Sequence, residues 1–363
     1  MDRYLGRRDR LRRGMRRAGA EALLVTDFTN VTYLTGFSGD DSYLLVRQDG
    51  EVILSDPRYA TQIAEECPGL EAHVRPPGQS MLKTIVKTVG ASRTQRLGIE
   101  GDSMTVALRD RIAAELPRVT LETTSGLVER LRQVKDREEV AAIRQAVWYA
   151  EKAFAVVRAL LRPEKTEKAV ADELEMQIRS FGAVGCSFPA IVGVGARAAL
   201  PHAKATDQPI GAADFVLIDW GANGGLYKSD LTRVLVTARI SPKLERVYRV
   251  VLKAQKAAIA AIRPGVAASE VDRAARQVIA EAGYGRSFGH GLGHGLGLMV
   301  HEAPRLSADS PTVLKAGMVM TVEPGIYLPG WGGVRIEDDV LVTREGCEVL
   351  TSVPKELDDA LVR

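Results

Sequence analysis

Gly289-His290-Gly291-Leu292-Gly293-His294-Gly295-Leu296-Gly297 is the stretch on which the reading of this chain turns. Five glycines in nine residues suit neither a helix nor a strand interior, because each surrenders more conformational freedom on folding than any other residue. Such a run implies close approach by backbone or by a ligand. Two imidazoles stand inside it. The chain holds only five histidines, and His202 and His301 join His290 and His294 in its second half, beside Gly- or Pro-rich sequence. The fifth, His73, is isolated between Ala72 and Val74 and reads as a surface or satisfied histidine. A phosphate loop is set aside because no GxxxxGK[ST] occurs. The single GxGxxA match, at 193–198, runs into Pro201 where a Rossmann helix would have to continue.

Acidic residues interrupt apolar runs on both sides of this stretch. Asp219 closes Phe215-Val216-Leu217-Ile218, and Asp230 opens the run 231–236 after a Gly-rich connection. Glu323 in Thr321-Val322-Glu323-Pro324 and Glu337 in Val334-Arg335-Ile336-Glu337 read as inward positions of apolar strands. A carboxylate buried in such a place must be paired, hydrogen bonded or bound to metal. Taken singly, Asp219 and Asp230 read equally well as capping or turn residues. Four carboxylates with His294 favour two divalent cations, and oxygen-rich ligation suits manganese first, with cobalt or zinc as alternatives.

Working outward, 363 residues point to about two domains, and a composition 45% hydrophobic and 26% charged describes a globular chain with buried cores. No apolar run approaches the roughly 18 residues of a membrane span. The net charge of +3 is small and spread out, so neither membrane nor nucleic acid is expected as a partner. The exception is the start, where eight arginines, Arg3, Arg7, Arg8, Arg10, Arg12, Arg13, Arg16 and Arg17, precede the first apolar run. They read as a solvated helix face, with targeting or polyanion binding as the alternative. Three scattered cysteines form no CxxC pair, which argues against a disulfide scaffold or zinc ribbon and, with no export signal, favours the cytoplasm.

The expected architecture is α+β. Strands at 22–26, 43–46 and 52–55, with helices at 59–66 and 81–89, form a smaller α/β domain over residues 1–130. The second domain, 131–363, opens after the charged run Lys135-Asp136-Arg137-Glu138-Glu139 with apolar residues every three or four positions, a helix ended by Pro163. Further helices are expected at 167–181, 243–262 and 270–282. Strands are expected at 188–192, 215–220, 232–237, 318–324, 334–342 and 348–350.

Together, Asp219-Trp220-Gly221-Ala222, Ser229-Asp230-Leu231-Thr232-Arg233, the segment 289–302, Thr321 to Tyr327 and Arg335 to Asp339 resemble the pita-bread metallopeptidases, family M24. Among these the chain is most similar to the Xaa-Pro peptidases, prolidase and aminopeptidase P, and 27–39 resembles the creatinase-type N-terminal domain. The resemblance implies that Asp219 binds one metal, that Asp230 and Glu337 bridge two, and that His294 and Glu323 complete the other site. It further implies a metal-bridging hydroxide as nucleophile, Glu323 as general base, and His202 and His301 as substrate-side histidines serving the tetrahedral intermediate and the leaving proline nitrogen. His290 and Arg335 match substrate-side positions of the proline-specific branch. Arg335 either meets a substrate carboxylate or braces Glu337.

The implied substrates are small peptides with proline at the second position, and a homodimer is expected. The short connection 328–333 resembles short-chain prolidases and favours dipeptides. Asp40-Asp41 departs from the small or hydroxyl residues of many relatives, leaving the N-terminal substrate contacts open to change. Alternatives are an aminopeptidase P acting on longer peptides, a methionine aminopeptidase, a metal-free creatinase-like relative or another non-peptidase pita-bread hydrolase, and a dinuclear phosphoesterase.

Overall fold

The computed structural model describes residues 3–362, which divide between Arg132 and Gln133 into two compact units. In the first, α1 (Arg3–Arg17), β1 (Ala22–Val25), α2 (Phe28–Thr35), β2 (Tyr43–Arg47), β3 (Glu51–Ser55), α3 (Ala60–Glu66), β4 (Glu71–Val74), α4 (Met81–Ala91), β5 (Arg96–Glu100), α5 (Val106–Glu115), β6 (Thr120–Thr124) and α6 (Glu129–Arg132) follow one another. Their six strands make one mixed sheet in the order β4-β3-β2-β1-β5-β6. The α/β character and the strands at 22–26, 43–46 and 52–55 are observed. β4, β5 and β6 were not anticipated, since Glu71, His73, Arg96 and Glu122 interrupt their apolar content. His73 is exposed on β4 and is satisfied by Thr88 Oγ1 and Glu71 Oε1, each at 3.0 Å.

The arginine-rich helix corrects the solvated-face expectation. Arg7 and Arg8 are buried and donate to Tyr33 O (2.9 Å) and Leu34 O (2.8 Å), carbonyls in the last turn of α2. Arg8 also pairs with Glu51 at 2.7 Å, and Arg12 donates to Arg47 O at 2.8 Å. Cations belong at a helix C-terminus, where carbonyls lack intrahelical partners. Only Arg10, Arg13, Arg16 and Arg17 face outward. Asp40 and Asp41 are held within the same unit by Tyr59 and Arg58.

The second unit opens with α7 (Arg137–Ala159) and α8 (Glu167–Ser180). Asp136 and Glu139 start α7 with a reciprocal capping box. There follow β7 (Gly185–Cys186), β8 (Ile191–Val194), β9 (Phe215–Trp220), β10 (Ala222–Asn223), β11 (Leu231–Val236), α9 (Pro242–Ala261) and α10 (Ala268–Glu281). The chain ends through β12 (Gly293–Gly295), β13 (Glu302–Leu306), β14 (Val319–Val322), β15 (Gly325–Leu328), β16 (Gly332–Arg335), β17 (Asp338–Val342) and β18 (Cys347–Val349). Two larger sheets, β11-β9-β8 and β13-β12-β14-β17-β18, are accompanied by the two-stranded ribbons β10-β7 and β15-β16. Trp220 fixes α7 against the first: its ring stacks on Phe154 at 4.1 Å and its Nε1 donates to Ala150 O at 3.0 Å. The helices α9 and α10 pack with the second through Leu244, Val251, Val271, Ile279, Met320 and Val340.

Two strand expectations need correction. The strand placed at 188–192 begins at Ile191, because Phe188 precedes Pro189, which has no N–H to give a ladder. The strand placed at 334–342 is two strands in different sheets, β16 and β17, parted at Ile336-Glu337. That break positions a carboxylate.

Candidate metal centre

The close approach implied by the glycine run is made by backbone. A Cβ on Gly293 would lie 2.1 Å from Thr321 O, and one on Gly295 would lie 2.2 Å from Ala303 O. Glycines on either side of His294 therefore let β12 sit between β13 and β14 while the imidazole projects from the strand. Gly221 does the same for β9 and β11, where a Cβ would stand 1.8 Å from Ser229 O. The two strands are antiparallel, with Asp219 opposite Thr232, so Asp219 and Asp230 come to one end of the pair.

Glu323 and Glu337 are not inside strands as their phase implied. Glu323 follows the last residue of β14, its N–H donating to Leu292 O at 2.8 Å. Glu337 lies in the gap between β16 and β17, and its N–H donates to Thr232 O at 3.2 Å. Leaving the ladder allows both side chains to turn towards the strand ends.

One ligand atom each from Asp230, His294 and Glu337 lie within 4.8 Å of one another. His294 Nε2 is 3.4 Å from Glu323 Oε1 and 3.7 Å from Asp230 Oδ2. Its Nδ1 lies 3.2 Å from Gly295 O. A carbonyl only accepts, so Nδ1 carries the hydrogen and Nε2 presents a lone pair to the carboxylates. Burial holds the His294 imidazole down at about 4, keeping it neutral. Thr321 Oγ1 accepts from His294 N (3.1 Å) and donates to Glu323 Oε1 (3.2 Å), tying the His294 backbone to the Glu323 carboxylate.

Asp219 is gripped by Arg335, Nη2 to Oδ2, at 2.5 Å. The same guanidinium donates through Nη1 to Tyr327 Oη (2.8 Å) and through Nε to Thr232 Oγ1 (3.0 Å), whose hydroxyl in turn donates to Glu337. Tyr327 Oη lies 2.9 Å from His290 Nε2, and His290 Nδ1 lies 2.7 Å from Gly291 O. Nδ1 therefore carries the hydrogen, and Tyr327 donates to Nε2. The backbone of this segment is pinned by α10: Arg276 donates to His290 O (2.8 Å), and Asp272 accepts from Leu292 N (3.1 Å).

His301 stacks edge-on against His294, ring centres 4.3 Å apart. Burial is the main reason its imidazole pKa is depressed, with repulsion from His202 second. His202 is exposed and lines an open cleft of about 450 Å³ with Leu200, Pro201, Ala203 and Lys204. Arg305, opposite His294 on β13, is an exposed cation that the sequence reading missed. Thr321, Tyr327 and Thr232 were also missed as participants, although all three lie inside the quoted motifs.

Charge decides what the cluster needs. Burial, then repulsion among neighbouring carboxylates, raises Asp230 and Glu337 well above the ordinary range. Burial raises Asp219 against the pull of Arg335, and Glu323 to about 7. Arg335 is the guanidinium bonded to a carboxylate of the cluster, while Arg233 reaches the cluster only at the backbone carbonyl of Glu337, and Asp219 Oδ1 finds no partner among the described residues. Carboxylates desolvated together in this way are stable when cations share their oxygens. The residues present fit divalent metal.

The chain matches metallopeptidase family M24 over residues 141–344 and the creatinase/prolidase N-terminal domain over residues 7–134. It belongs to metallopeptidase family M24, with the pita-bread catalytic fold preceded by a creatinase-type domain. It is a metallopeptidase. Over 349 residues it is 40% identical to an uncharacterized peptidase, YqhT, of Bacillus subtilis, covering 96% of this chain and 98% of that one. An Xaa-Pro dipeptidase from Bacillus anthracis superposes with a TM-score of 0.94 at 39% identity, covering 98% of this chain and 99% of the other. An X-Pro aminopeptidase from Thermotoga maritima superposes at 0.87 with 36% identity, covering 95% and 99% respectively. No described helix is long and apolar enough to cross a membrane.

Proposed function

We propose that this protein hydrolyses the Xaa-Pro bond of dipeptides with two divalent cations, manganese first. The observation that carries the reading is the approach of ligand atoms of Asp230, His294 and Glu337 within 4.8 Å, with Glu323 3.4 Å from His294 and Asp219 at the same strand end as Asp230, beside two exposed histidines. Asp219 would hold one cation, His294 and Glu323 the other, and Asp230 and Glu337 would be shared. When bound, the cations supply Lewis acidity towards the scissile carbonyl and a water acidic enough to ionise near neutral pH.

The remaining work falls to the chain's own side chains. Glu323 takes the water proton as general base. His202 and His301 hydrogen bond the developing oxyanion and pass a proton to the proline nitrogen, which leaves as a hindered secondary amine. Arg335 has its donors engaged by Asp219, Tyr327 and Thr232, which supports a bracing role over contact with substrate. Exposed Arg305, opposite His294 on the neighbouring strand, is a cation that would meet a dipeptide's carboxylate. The three-residue turn between Leu328 and Gly332 adds no insertion over the site and supports short substrates. In the same reading the protein is a cytoplasmic homodimer.

The test is hydrolysis of Ala-Pro, Ala-Pro-Ala and Met-Ala-Ala after chelation and readdition of Mn(II), with metal counted by elemental analysis. Ala-Pro cleaved fastest, and only with metal, is expected. Preference for Ala-Pro-Ala would favour the aminopeptidase reading, which the Thermotoga likeness also supports. Preference for Met-Ala-Ala would reject proline specificity. His294→Ala is expected to lose one metal and Asp230→Asn most of both.

A further inference from the structure

Lys135 Nζ lies 2.7 Å from Glu302 Oε1, and the two side chains are only 1% and 8% exposed. Neither belongs to the candidate metal centre. A buried ion pair is a poor source of stability, because desolvating both charges offsets most of their attraction, and apolar residues of similar volume often serve as well. What such a pair does supply is direction, since the two groups tolerate one mutual placement. Its location shows what that direction serves.

Glu302 directly follows His301 and opens β13 opposite Gly295, the neighbour of His294. Between the pairs His294↔Arg305 and Gly295↔Glu302, β12 advances one residue and β13 three, so the regular ladder lapses where the two histidines face each other. The turn 296–301 keeps Leu296 N–H to Val319 O and Gly297 N–H to Met299 O, both at 3.1 Å, and packs on the ion pair through Gly297. A Cβ on Gly297 would meet Glu302 Oε1 at 2.5 Å and Lys135 Cε at 3.1 Å. Lys228 N–H donates to Gly297 O at 3.0 Å, and Lys135 N–H donates to Gly317 O at 2.8 Å. The pair thus lies beneath a turn that backbone bonds tie to the segment before Asp230, while the Lys135 backbone is tied to the segment leading into β14.

We propose that Lys135 and Glu302 are positioning residues that set where His301 stands against His294, and so align the proton-handling side of the site. The inference rests on the peptidase reading above. An apolar pair would fill the same volume while leaving the turn free to settle elsewhere. A misplacement of about 1 Å is enough to cost on the order of a hundredfold in rate.

The test uses the full-length manganese-loaded protein carrying Lys135→Met together with Glu302→Met, alongside Glu302→Gln and Lys135→Arg. The double variant is expected to unfold at or above the parent's temperature and to keep its metals. Its kcat on Ala-Pro is expected to fall at least about tenfold with KM within about threefold, the usual scale for residues that orient a metal site. Lys135→Arg, which keeps the pair, is expected to retain most of kcat. In the chelated protein, imidazole NMR, with His301→Ala for assignment, is expected to show the His301 signal moved and the His73 signal unmoved. Parental kcat in the double variant, or an unmoved His301 signal, overturns the proposal. If the double variant does not fold, Glu302→Gln decides it by the same two readouts. If the parent fails to cleave Ala-Pro, the peptidase reading fails and the NMR comparison alone judges the positioning role.

Discussion

Arg335 Nη2 lies 2.5 Å from Asp219 Oδ2, and the other nitrogens of the same guanidinium reach Tyr327 and Thr232. One planar fork thus orients a carboxylate at the end of β9, a phenol on β15 and a hydroxyl on β11. Lysine offers a single point of charge in its place.

Arg335→Lys is therefore expected to lower kcat about 10- to 100-fold and to weaken metal retention, as loss of an orienting partner usually does. KM for Ala-Pro is expected to stay within about threefold, because uniform substrate binding is not what the side chain supplies. Steady-state kinetics with metal analysis checks this, and a large rise in KM at unchanged kcat would instead assign Arg335 to the substrate carboxylate.

His202→Ala and His301→Ala are each expected to lower turnover about a hundredfold or more, the scale for losing a general acid or an oxyanion donor. Both variants are expected to retain full metal content. A metal lost from either one would make that histidine a ligand.

Stability of the chelated protein is expected to fall as pH rises. Burial holds Glu323 at about 7 against an ordinary 4.5, and burial with mutual repulsion raises Asp230 and Glu337 further. A carboxyl whose pKa is raised by folding keeps its proton longer in the folded state. Its contribution is present below the unfolded value and is lost as pH rises through the folded one. From about pH 4.5 to about 7 the five raised carboxyls, Asp219, Asp230, Glu323, Glu337 and Asp339, remove more stability than His290 and His294, which burial holds down at about 4, return, and the gap to the metal-loaded form widens. Calorimetry across that range checks the sign, and a chelated form that gains stability on raising the pH would contradict it.

Gly221→Ala and Gly293→Ala are expected to be severely destabilising, because their added methyls would lie 1.8 Å from Ser229 O and 2.1 Å from Thr321 O. Relief requires separating backbones that hold the site together, at a cost of about 3 kcal/mol or more. Gly289→Ala, with nothing within 4 Å of its Cβ, is the matched control and should change stability by about 0.5 kcal/mol or less. Chemical denaturation of the three variants decides it, with equal loss in all three counting against the packing argument.

Much of the catalytic unit is legible in sequence because its signals are local. Asp219 and Glu323 close apolar runs and Asp230 opens one, glycines alternate around His294, and α7 announces itself through a charged run followed by a 3.6-residue periodicity. What those patterns lack is the identity of the opposing backbone. Only the tertiary structure shows that Gly293 and Gly295 make room for Thr321 and Ala303, and that Glu337 is turned inward by a break between sheets. Long, multivalent side chains are the least legible, since their reach exceeds any sequence spacing. Arg7 and Arg8 were assigned to solvent yet satisfy the last carbonyls of α2, 26 residues away. Sequence spacing could not show that the donors of Arg335 meet Asp219, Tyr327 and Thr232. Residue types and their order determined which chemistry the chain carries, and packing decided which atoms meet, because each contact is made by a partner far off in sequence.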